Sequence, residues 1–256
     1  MTPSSSRPLS AILAPLAALL ALLAVPLCVL APPPAMAAEL SRTIAAVKPA
    51  IVGVGTFQRT RSPAIRFQAT GFVVGDGLSV ITNAHGIPEL PDTEKMETLG
   101  IVVGSGSALT FRPATLAGID REHDLAHLRL AGAPLPVLAV GDSATLEEGR
   151  SLAFTGFPLG MGLGLHHATH RATLAAITPV VMPSMSSGKL NPRVLTQLQK
   201  STFSIFQLDA VAYPGNSGSP LYDPDNGTVY GVLNMVMVKS LKENAISNPT
   251  GISYAI

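Results

Sequence analysis

The chain is poor in cysteine, which usually cross-links small exported proteins, and in the clustered basic residues that bind polyanions. Its 256 residues include one cysteine and no tryptophan, and charged residues make up only 13% of the total. A single cysteine excludes an internal disulfide and a zinc site built from cysteines. The 17 Lys and Arg residues nearly balance the 16 Asp and Glu residues, and no basic block or aromatic stripe predicts nucleic-acid binding. The fold must therefore rest on an apolar core.

Long apolar runs are also scarce, and the one near the N-terminus has the pattern of a targeting segment. Arg7 precedes an apolar stretch over residues 11–31, and Ala35-Met36-Ala37 supplies a small-x-small cleavage signal. We therefore predict a signal peptide over residues 1–37. An uncleaved membrane anchor is the alternative, because the stretch is nearly long enough to span a bilayer.

After export and cleavage, residues 38–256 would lie in the periplasm or the extracellular space. The only cysteine, Cys28, would leave with the signal peptide, so the exported domain would have no disulfide. We expect no stable association of this domain with the membrane after cleavage. The oligomeric state is not predicted by the sequence.

Short β-type runs dominate the chain after the signal peptide. They are separated by Gly, Pro, Asn and Asp, and few stretches have helical periodicity. Strands without intervening helices favour a β-barrel or sandwich over βαβ units. A short helix is predicted after Asn191-Pro192. The predicted strands cover residues 51–57, 71–74, 79–82, 101–103, 125–130, 152–155, 172–177, 229–237 and 252–256.

A serine between two glycines is the strongest candidate for chemistry, in the segment Tyr213-Pro-Gly215-Asn-Ser217-Gly218-Ser-Pro. A serine hydroxyl is a poor nucleophile unless a base removes its proton and nearby donors stabilise the oxyanion. Gly215 would let the backbone fold back so that its own N–H and that of Ser217 converge. Gly218 would remove a side chain beside the attacking oxygen. Taken alone, the segment could also be an ordinary tight turn.

Candidates for the base and its carboxylate lie upstream of the serine. A nucleophilic serine needs a histidine, and behind it a carboxylate that fixes the tautomer of the ring. His85 ends an apolar strand, which would hold its ring rigidly at a cleft. Asp124 precedes the alternating run 125–130, which should bury one strand face. The rivals Asp120 and Glu122 lie farther from that strand and are interpreted as solvated turn residues.

These motifs resemble the chymotrypsin-like serine proteases, and their local sequences resemble the HtrA/Deg branch. The order His85, Asp124, Ser217 is the order of that family. An α/β-hydrolase would need Gly-x-Ser-x-Gly and a triad that begins with serine, and residue 219 is serine. The resemblance is carried by Thr70-Gly-Phe-Val-Val, Val80-Ile-Thr-Asn-Ala-His85, Asp124-Leu-Ala-His-Leu, residues 141–158, the serine segment and Gly251-Ile-Ser-Tyr-Ala-Ile256.

The resemblance implies an all-β fold of two six-stranded antiparallel β-barrels, with the active site in the cleft between them. The trypsin-like domain would span residues 38–256, with one barrel over about residues 45–136 and the other over about 137–256. Many HtrA relatives continue into PDZ domains where this chain stops, so we expect no peptide-sensing module.

The resemblance also implies a serine endopeptidase that acts on polypeptides through an acyl-enzyme intermediate. Ser217 would be the nucleophile, His85 the general base and then the acid, and Asp124 its orienting partner. The backbone N–H groups of Gly215 and Ser217 would form the oxyanion hole. We expect neither a cofactor nor a metal ion. The alternative is a protease-like binding or chaperone-like module with a latent site, controlled by the loops 159–165 and 180–200.

By the same resemblance, Asn234, Met235 and Val236 form the edge strand that pairs with the substrate backbone and lines the primary pocket. Val211 would lie at the floor of that pocket, where no acidic residue is available for Lys or Arg. Val236 in place of glycine should make the pocket shallow. We therefore expect a preference for small aliphatic P1 residues, P1 being the residue on the acyl side of the scissile bond.

A histidine cluster and two departures from the family pattern complete the set of candidates. His166, His167 and His170 could ligate a metal, but they follow a Gly-rich stretch with no nearby carboxylate, so we expect a solvated or rim-lining loop. Ser219 replaces the second glycine after the nucleophile, and we expect it to be tolerated. Gly86 follows His85 where a larger apolar residue is common.

Overall fold

A computed structural model describes residues 36–88, 96–106, 108–179, 203–234 and 251–256. Most of the predicted signal peptide, the predicted helix after Asn191, and the candidate pocket residues Met235 and Val236 lie outside the described residues. Residues 180–202, which include the whole of the predicted control loop 180–200, also lie outside them.

The first barrel closes through six antiparallel strands in the order β1-β2-β3-β6-β5-β4. The alternating run that follows Asp124 forms β6, and Ala126, Leu128 and Leu130 are buried on one face as predicted. The strands are β1 (Ile51–Phe57), β2 (Ile65–Val74), β3 (Ser79–Asn83), β4 (Thr98–Val103), β5 (Thr110–Asp120) and β6 (Leu125–Leu130).

The second barrel closes in the order β10-β11-β12-β9-β8-β7, and all of its strand pairs are antiparallel. The predicted architecture of two six-stranded antiparallel barrels is therefore confirmed. The strands are β7 (Ser151–Gly156), β8 (Ala168–Pro179), β9 (Ser204–Asp209), β10 (Pro220–Tyr222), β11 (Val229–Asn234) and β12 (Ile252–Ala255).

The sequence patterns missed three strands for identifiable reasons. β5 contains Pro113 and a register shift near Gly118, and most of its residues are exposed, so it shows no alternation of apolar and polar residues. β10 is only three residues long. β9 has two adjacent buried residues, Ile205 and Phe206, instead of an alternating pattern.

A continuous apolar cluster joins the two barrels. It includes Val54 and Ile101 from the first barrel, and Phe157, Tyr222 and Val232 from the second. Each large side chain that is fully buried in this way contributes roughly 1.5–3 kcal/mol. The two barrels are therefore packed together on a shared apolar core. A second cluster fills the interior of the second barrel.

Helices are short in the described part of the chain, and none is long and apolar enough to cross a membrane. α1 (Met36–Val47) leads into the first barrel, and its residue Val47 is buried in the shared cluster. The Thr43 hydroxyl donates to the Asp225 carbonyl at 3.1 Å, so the helix supports the turn before β11. The 3-10 helices cover Lys48–Ala50, Ala84–Gly86, Ser143–Thr145 and Gly160–Leu163.

Candidate active site

His85 and Asp124 form a close pair. The His85 Nδ1 atom lies 2.6 Å from Asp124 Oδ2, and the two side chains are 22% and 19% exposed. An ionised carboxylate can only accept, so the proton of a neutral His85 ring resides on Nδ1. Nε2 then carries the lone pair and can act as a base.

The aspartate is fixed by its backbone as well as by its side chain. Asp124 Oδ1 accepts the backbone N–H of His85 at 2.8 Å, while the Asp124 carbonyl accepts Ala84 N–H at 2.9 Å and Asn83 Nδ2 at 3.1 Å. Asp124 also has a φ of 54°, a left-handed conformation that is uncommon outside glycine. Strained backbone of this kind tends to occur at functional sites. These contacts keep the His85–Asp124 geometry independent of substrate.

The glycines beside Ser217 are required by close backbone packing. Gly215 has a φ of 101°, and a Cβ there would lie 2.3 Å from the Phe157 carbonyl oxygen. Gly218 has a φ of 84°, and a Cβ there would lie 2.0 Å from the Thr70 carbonyl oxygen. Gly218 thus makes room for the backbone of strand β2.

Thr70 of β2 holds in place residues 213–220, the segment of the candidate nucleophile Ser217, which we call the nucleophile segment. Its backbone N–H donates to the Ser217 carbonyl at 2.8 Å, and its hydroxyl donates to the Gly215 carbonyl at 2.7 Å. The same hydroxyl accepts the N–H of Phe157 at 3.1 Å. Thr70 is fully buried, so these bonds are shielded from water. We call this set of bonds the Thr70 clamp.

Two backbone donors near the serine are free for a ligand. The N–H groups of Gly215 and Ser217 donate to no residue in the described ranges. The Pro214 carbonyl accepts Leu159 N–H at 2.6 Å. Because the C=O and N–H of a trans peptide point in opposite directions, this bond turns the Gly215 N–H away from Leu159. The arrangement is suited to binding an oxyanion.

Ser217 is buried, with only 6% of the residue exposed. Its loop packs against Thr82, which lies three residues before His85. Among the described residues, the Ser217 hydroxyl makes no hydrogen bond to His85. Catalytic hydrogen bonds are often long without substrate and tighten when it binds.

Polar atoms without partners surround the nucleophile segment. Both side-chain polar atoms of Asn216, together with Ser219 Oγ and Asn83 Oδ1, are buried and make no hydrogen bond in the described part of the chain. Ser219 Oγ lies 2.1 Å from where a Cβ of Gly156 would be, so Gly156 makes room for this serine. A Cβ at Gly86 would likewise lie 2.7 Å from that of Ala69, which explains the glycine after the histidine.

The candidate pocket residues are only partly described. Val211 is half-buried in the segment before the serine, and Asn234 is buried at the end of β11. Met235 and Val236 fall outside the described residues.

Asp120 accepts from the backbone N–H and the ring of His123, and these bonds lower the pKa of Asp120 below its ordinary value of 3.8. Asp120 therefore caps a turn, as its interpretation as a turn residue requires.

The histidine cluster does not form a solvated loop. His166 is exposed beside Ser105. The His167 ring contacts the Ile51 carbonyl at 3.1 Å, and His170, in β8, stacks on Phe154 of β7. Burial lowers the pKa of both His167 and His170 below 6.5. Within the described ranges, no three His, Cys, Asp or Glu side chains are arranged to hold a metal ion. The expected loop was solvated or rim-lining, whereas His167 and His170 are half-buried. His167 contacts both barrels through Ile51 and Phe157, and His170 lies in strand β8 of the second barrel.

Comparison with protein families gives a direct match. The model of the trypsin-like peptidase domain matches residues 69–232, which include His85, Asp124 and Ser217. The mitochondrial serine protease HTRA2 of Drosophila pseudoobscura pseudoobscura is 29% identical over 194 residues, covering 76% of this chain and 37% of that protein. The HTRA2 of Drosophila persimilis matches equally, with 29% identity and the same coverage. The chain thus spans little more than a third of the length of these relatives.

Solved structures share the fold. The Rv3671c protease of M. tuberculosis in its active form matches with a TM-score of 0.59 at 20% identity, covering 88% of this chain and 82% of that one. The HtrA-type protease AlgW with a decapeptide matches with a TM-score of 0.59 at 19% identity, covering 85% of this chain and 63% of that one. At these identities the likeness concerns the arrangement of the two barrels.

The Gly218→Ala substitution should destabilise the protein more than Gly75→Ala. Both glycines have positive φ, but a Cβ at Gly75 meets nothing within 4 Å, whereas at Gly218 it strikes the Thr70 carbonyl. The left-handed conformation alone costs a non-glycine residue about 1–2 kcal/mol. Urea unfolding should show about that loss for Gly75→Ala and at least ~2 kcal/mol more for Gly218→Ala, because overpacking adds its own cost. Equal losses would contradict the proposed close contact with β2.

Proposed function

Because the chain belongs to the family of trypsin-like peptidase domains, we propose that it is an exported serine endopeptidase that cleaves polypeptides through Ser217, His85 and Asp124. It would act in the periplasm or outside the cell after removal of residues 1–37. The proposed reaction needs no cofactor, because the three side chains and two backbone donors supply all the groups that acyl transfer requires.

The observations that carry the proposal are the hydrogen bond that holds the His85 ring and the two backbone donors of the serine segment that have no partner among the described residues. His85 Nδ1 is held by Asp124 at 2.6 Å, which leaves Nε2 as a base. The N–H groups of Gly215 and Ser217 have no partner among the described residues. A structural turn would not need both features, since buried donors are normally paired.

In the first half of the proposed reaction, Ser217 Oγ attacks the carbonyl carbon of the scissile peptide bond. Its proton moves to His85 Nε2, and Asp124 stabilises the resulting imidazolium. The oxyanion accepts from Gly215 and Ser217, and a donor of this type contributes about 2.7–4 kcal/mol. The C–N bond then breaks, the leaving amine takes the proton from Nε2, and an acyl-serine ester remains.

In the second half, water replaces the leaving amine. His85 Nε2 removes a proton from the water as its oxygen attacks the ester, and the same two N–H groups bind the second oxyanion. Ser217 recovers its proton from His85, and the carboxylate product departs. The Leu159–Pro214 hydrogen bond supports this cycle, because it orients the Gly215 N–H before substrate arrives.

The first test is labelling of the full-length chain with a fluorophosphonate probe, with Ser217→Ala as the control. We expect the probe to label the protein and the substitution to abolish labelling, because the phosphorus atom bonds only to an activated serine. Labelling of Ser217→Ala would assign the reactivity to another residue. A folded protein that does not react would favour the latent binding module over the protease.

The Thr70 clamp gives a second prediction. Thr70→Val should slow labelling about 10-fold or more, because it removes two hydrogen bonds, each worth about 0.5–1.5 kcal/mol, that position Gly215 and Phe157. Thr70→Ser keeps the hydroxyl and should stay close to the native rate. Thr115→Val on the exposed face of β5 is the matched control for the change of residue type. Thermal melts separate loss of folding from loss of reactivity, and a native rate in folded Thr70→Val would refute the role of the clamp.

We also propose that the enzyme prefers small aliphatic P1 residues such as Val or Ala. The support is the apolar Val211, at the position that would contact the end of the P1 side chain. Peptides that differ only at P1 should be cleaved faster after Val or Ala than after Arg or Phe. Val211→Asp should raise cleavage after Arg relative to Val, because it adds a carboxylate for the guanidinium. Faster cleavage after Arg or Phe by the native chain would refute the proposed preference.

A further inference from the structure

A cavity of about 660 Å³ lies directly beside Gly215. Phe67 and Gln68 of β2, the segment 159–162 and the segment 213–215 form its walls. Three of its apolar side chains are unusually open, with Leu159 51%, Met161 39% and Tyr213 39% exposed. A volume of this size and an apolar lining are typical of a ligand pocket, and apolar side chains exposed together mark an interaction site.

The position of the cavity relative to the nucleophile segment indicates which part of a substrate it would meet. Thr70 of β2 bonds to Gly215 and Ser217, while Leu233 of β11 bonds to Gly218 and Ser219. The residues before and at Ser217 are therefore held by β2, and the residues after it by β11. β11 leads to the edge proposed for the acyl side of the substrate, whereas the cavity lies at β2.

A second cavity, of about 460 Å³, continues the first one. Phe67 and Met161 line both cavities, and Arg61 and Arg66 line the second one as well. The Arg61 guanidinium forms an ion pair with Glu97 at 2.7 Å and donates hydrogen bonds to backbone carbonyls. Arg66 is exposed and makes no ion pair with a residue in the described ranges. The outer cavity thus has an available positive charge.

We propose that the two cavities form one groove for the leaving-group side of the substrate. The inner cavity accepts a large apolar side chain within the first two residues after the scissile bond, and Arg66 attracts an acidic side chain farther along. An extended peptide advances roughly 3.3 Å per residue, so a few residues reach from Gly215 to the outer cavity. This inference rests on the proposed protease function and adds the sequence class of the substrate.

The test uses the full-length chain and internally quenched peptides that share one acyl side. On the leaving-group side, Leu or Phe is compared with Ser at the first two positions, and Glu with Lys at the next two. We expect kcat/KM about 10-fold higher for the large apolar residues than for Ser. We expect it to be about 3-fold higher for Glu than for Lys at low salt. The Glu preference should shrink at high salt, because salt screens an exposed charge pair.

Charge reversal separates the role of Arg66 from a general charge effect. Arg66→Glu should invert the preference between Glu and Lys. Arg59→Glu should leave it unchanged, because Arg59 is also exposed on the turn before β2 but does not line either cavity. Met161→Ser should lower the preference for apolar residues at least 3-fold. Met96→Ser is its control at a site that is 83% exposed and lines neither cavity.

Fluorophosphonate labelling distinguishes the two possible failures, because a small probe reacts at Ser217 without filling the groove. Native labelling and cleavage with no preference on the leaving-group side would overturn the groove alone. Preferences that persist unchanged in Arg66→Glu and Met161→Ser would also overturn it. Absence of labelling and cleavage in the folded native chain would overturn the proposed function and the groove together.

Discussion

The attachment of the nucleophile segment to strand β2 is the constraint on which the rest of the site depends. Ser217 belongs to the second barrel and His85 to the first, so the catalysis that we propose requires the two barrels to be held in fixed relative positions. Thr70 provides this connection through its backbone and its hydroxyl, which reaches Gly215 across 145 positions of sequence. Gly218 allows the contact because it has no Cβ to strike the Thr70 carbonyl. The apolar cluster shared by both barrels then fixes the remaining distance.

The site concentrates conformations and polar groups that would be unfavourable elsewhere. Asp124 has a left-handed backbone, and the side chains of Asn216 and Ser219 are buried without partners in the described residues. Each such feature costs free energy, on the order of 1–3 kcal/mol. The two well-packed barrels can offset this cost. What they stabilise is an arrangement in which a histidine nitrogen and two amide donors remain available to a substrate.

Sequence patterns predicted much of this molecule because several of its signals are local. The alternating run 125–130 indicated one buried strand face, and the order of His85, Asp124 and Ser217 indicated the two-barrel family. β5 was missed because Pro113 and its exposed surface remove the alternation that a barrel strand usually shows. For His167 and His170, the Gly-rich stretch before them predicted a solvated or rim-lining loop, whereas packing against Phe157 and Phe154 half-buries both rings.

The sequence by itself determined the types of residue available for chemistry, the export signal that we predict and the strand-rich class of the fold. Only the tertiary structure decided that Thr70 holds the nucleophile segment, that the amides of Gly215 and Ser217 have no partner among the described residues, and that Phe67 and Met161 line two adjacent cavities. These properties arise from contacts between residues that are distant in the chain. Local propensity and residue spacing do not specify such contacts, because the contacts form only when the barrels close.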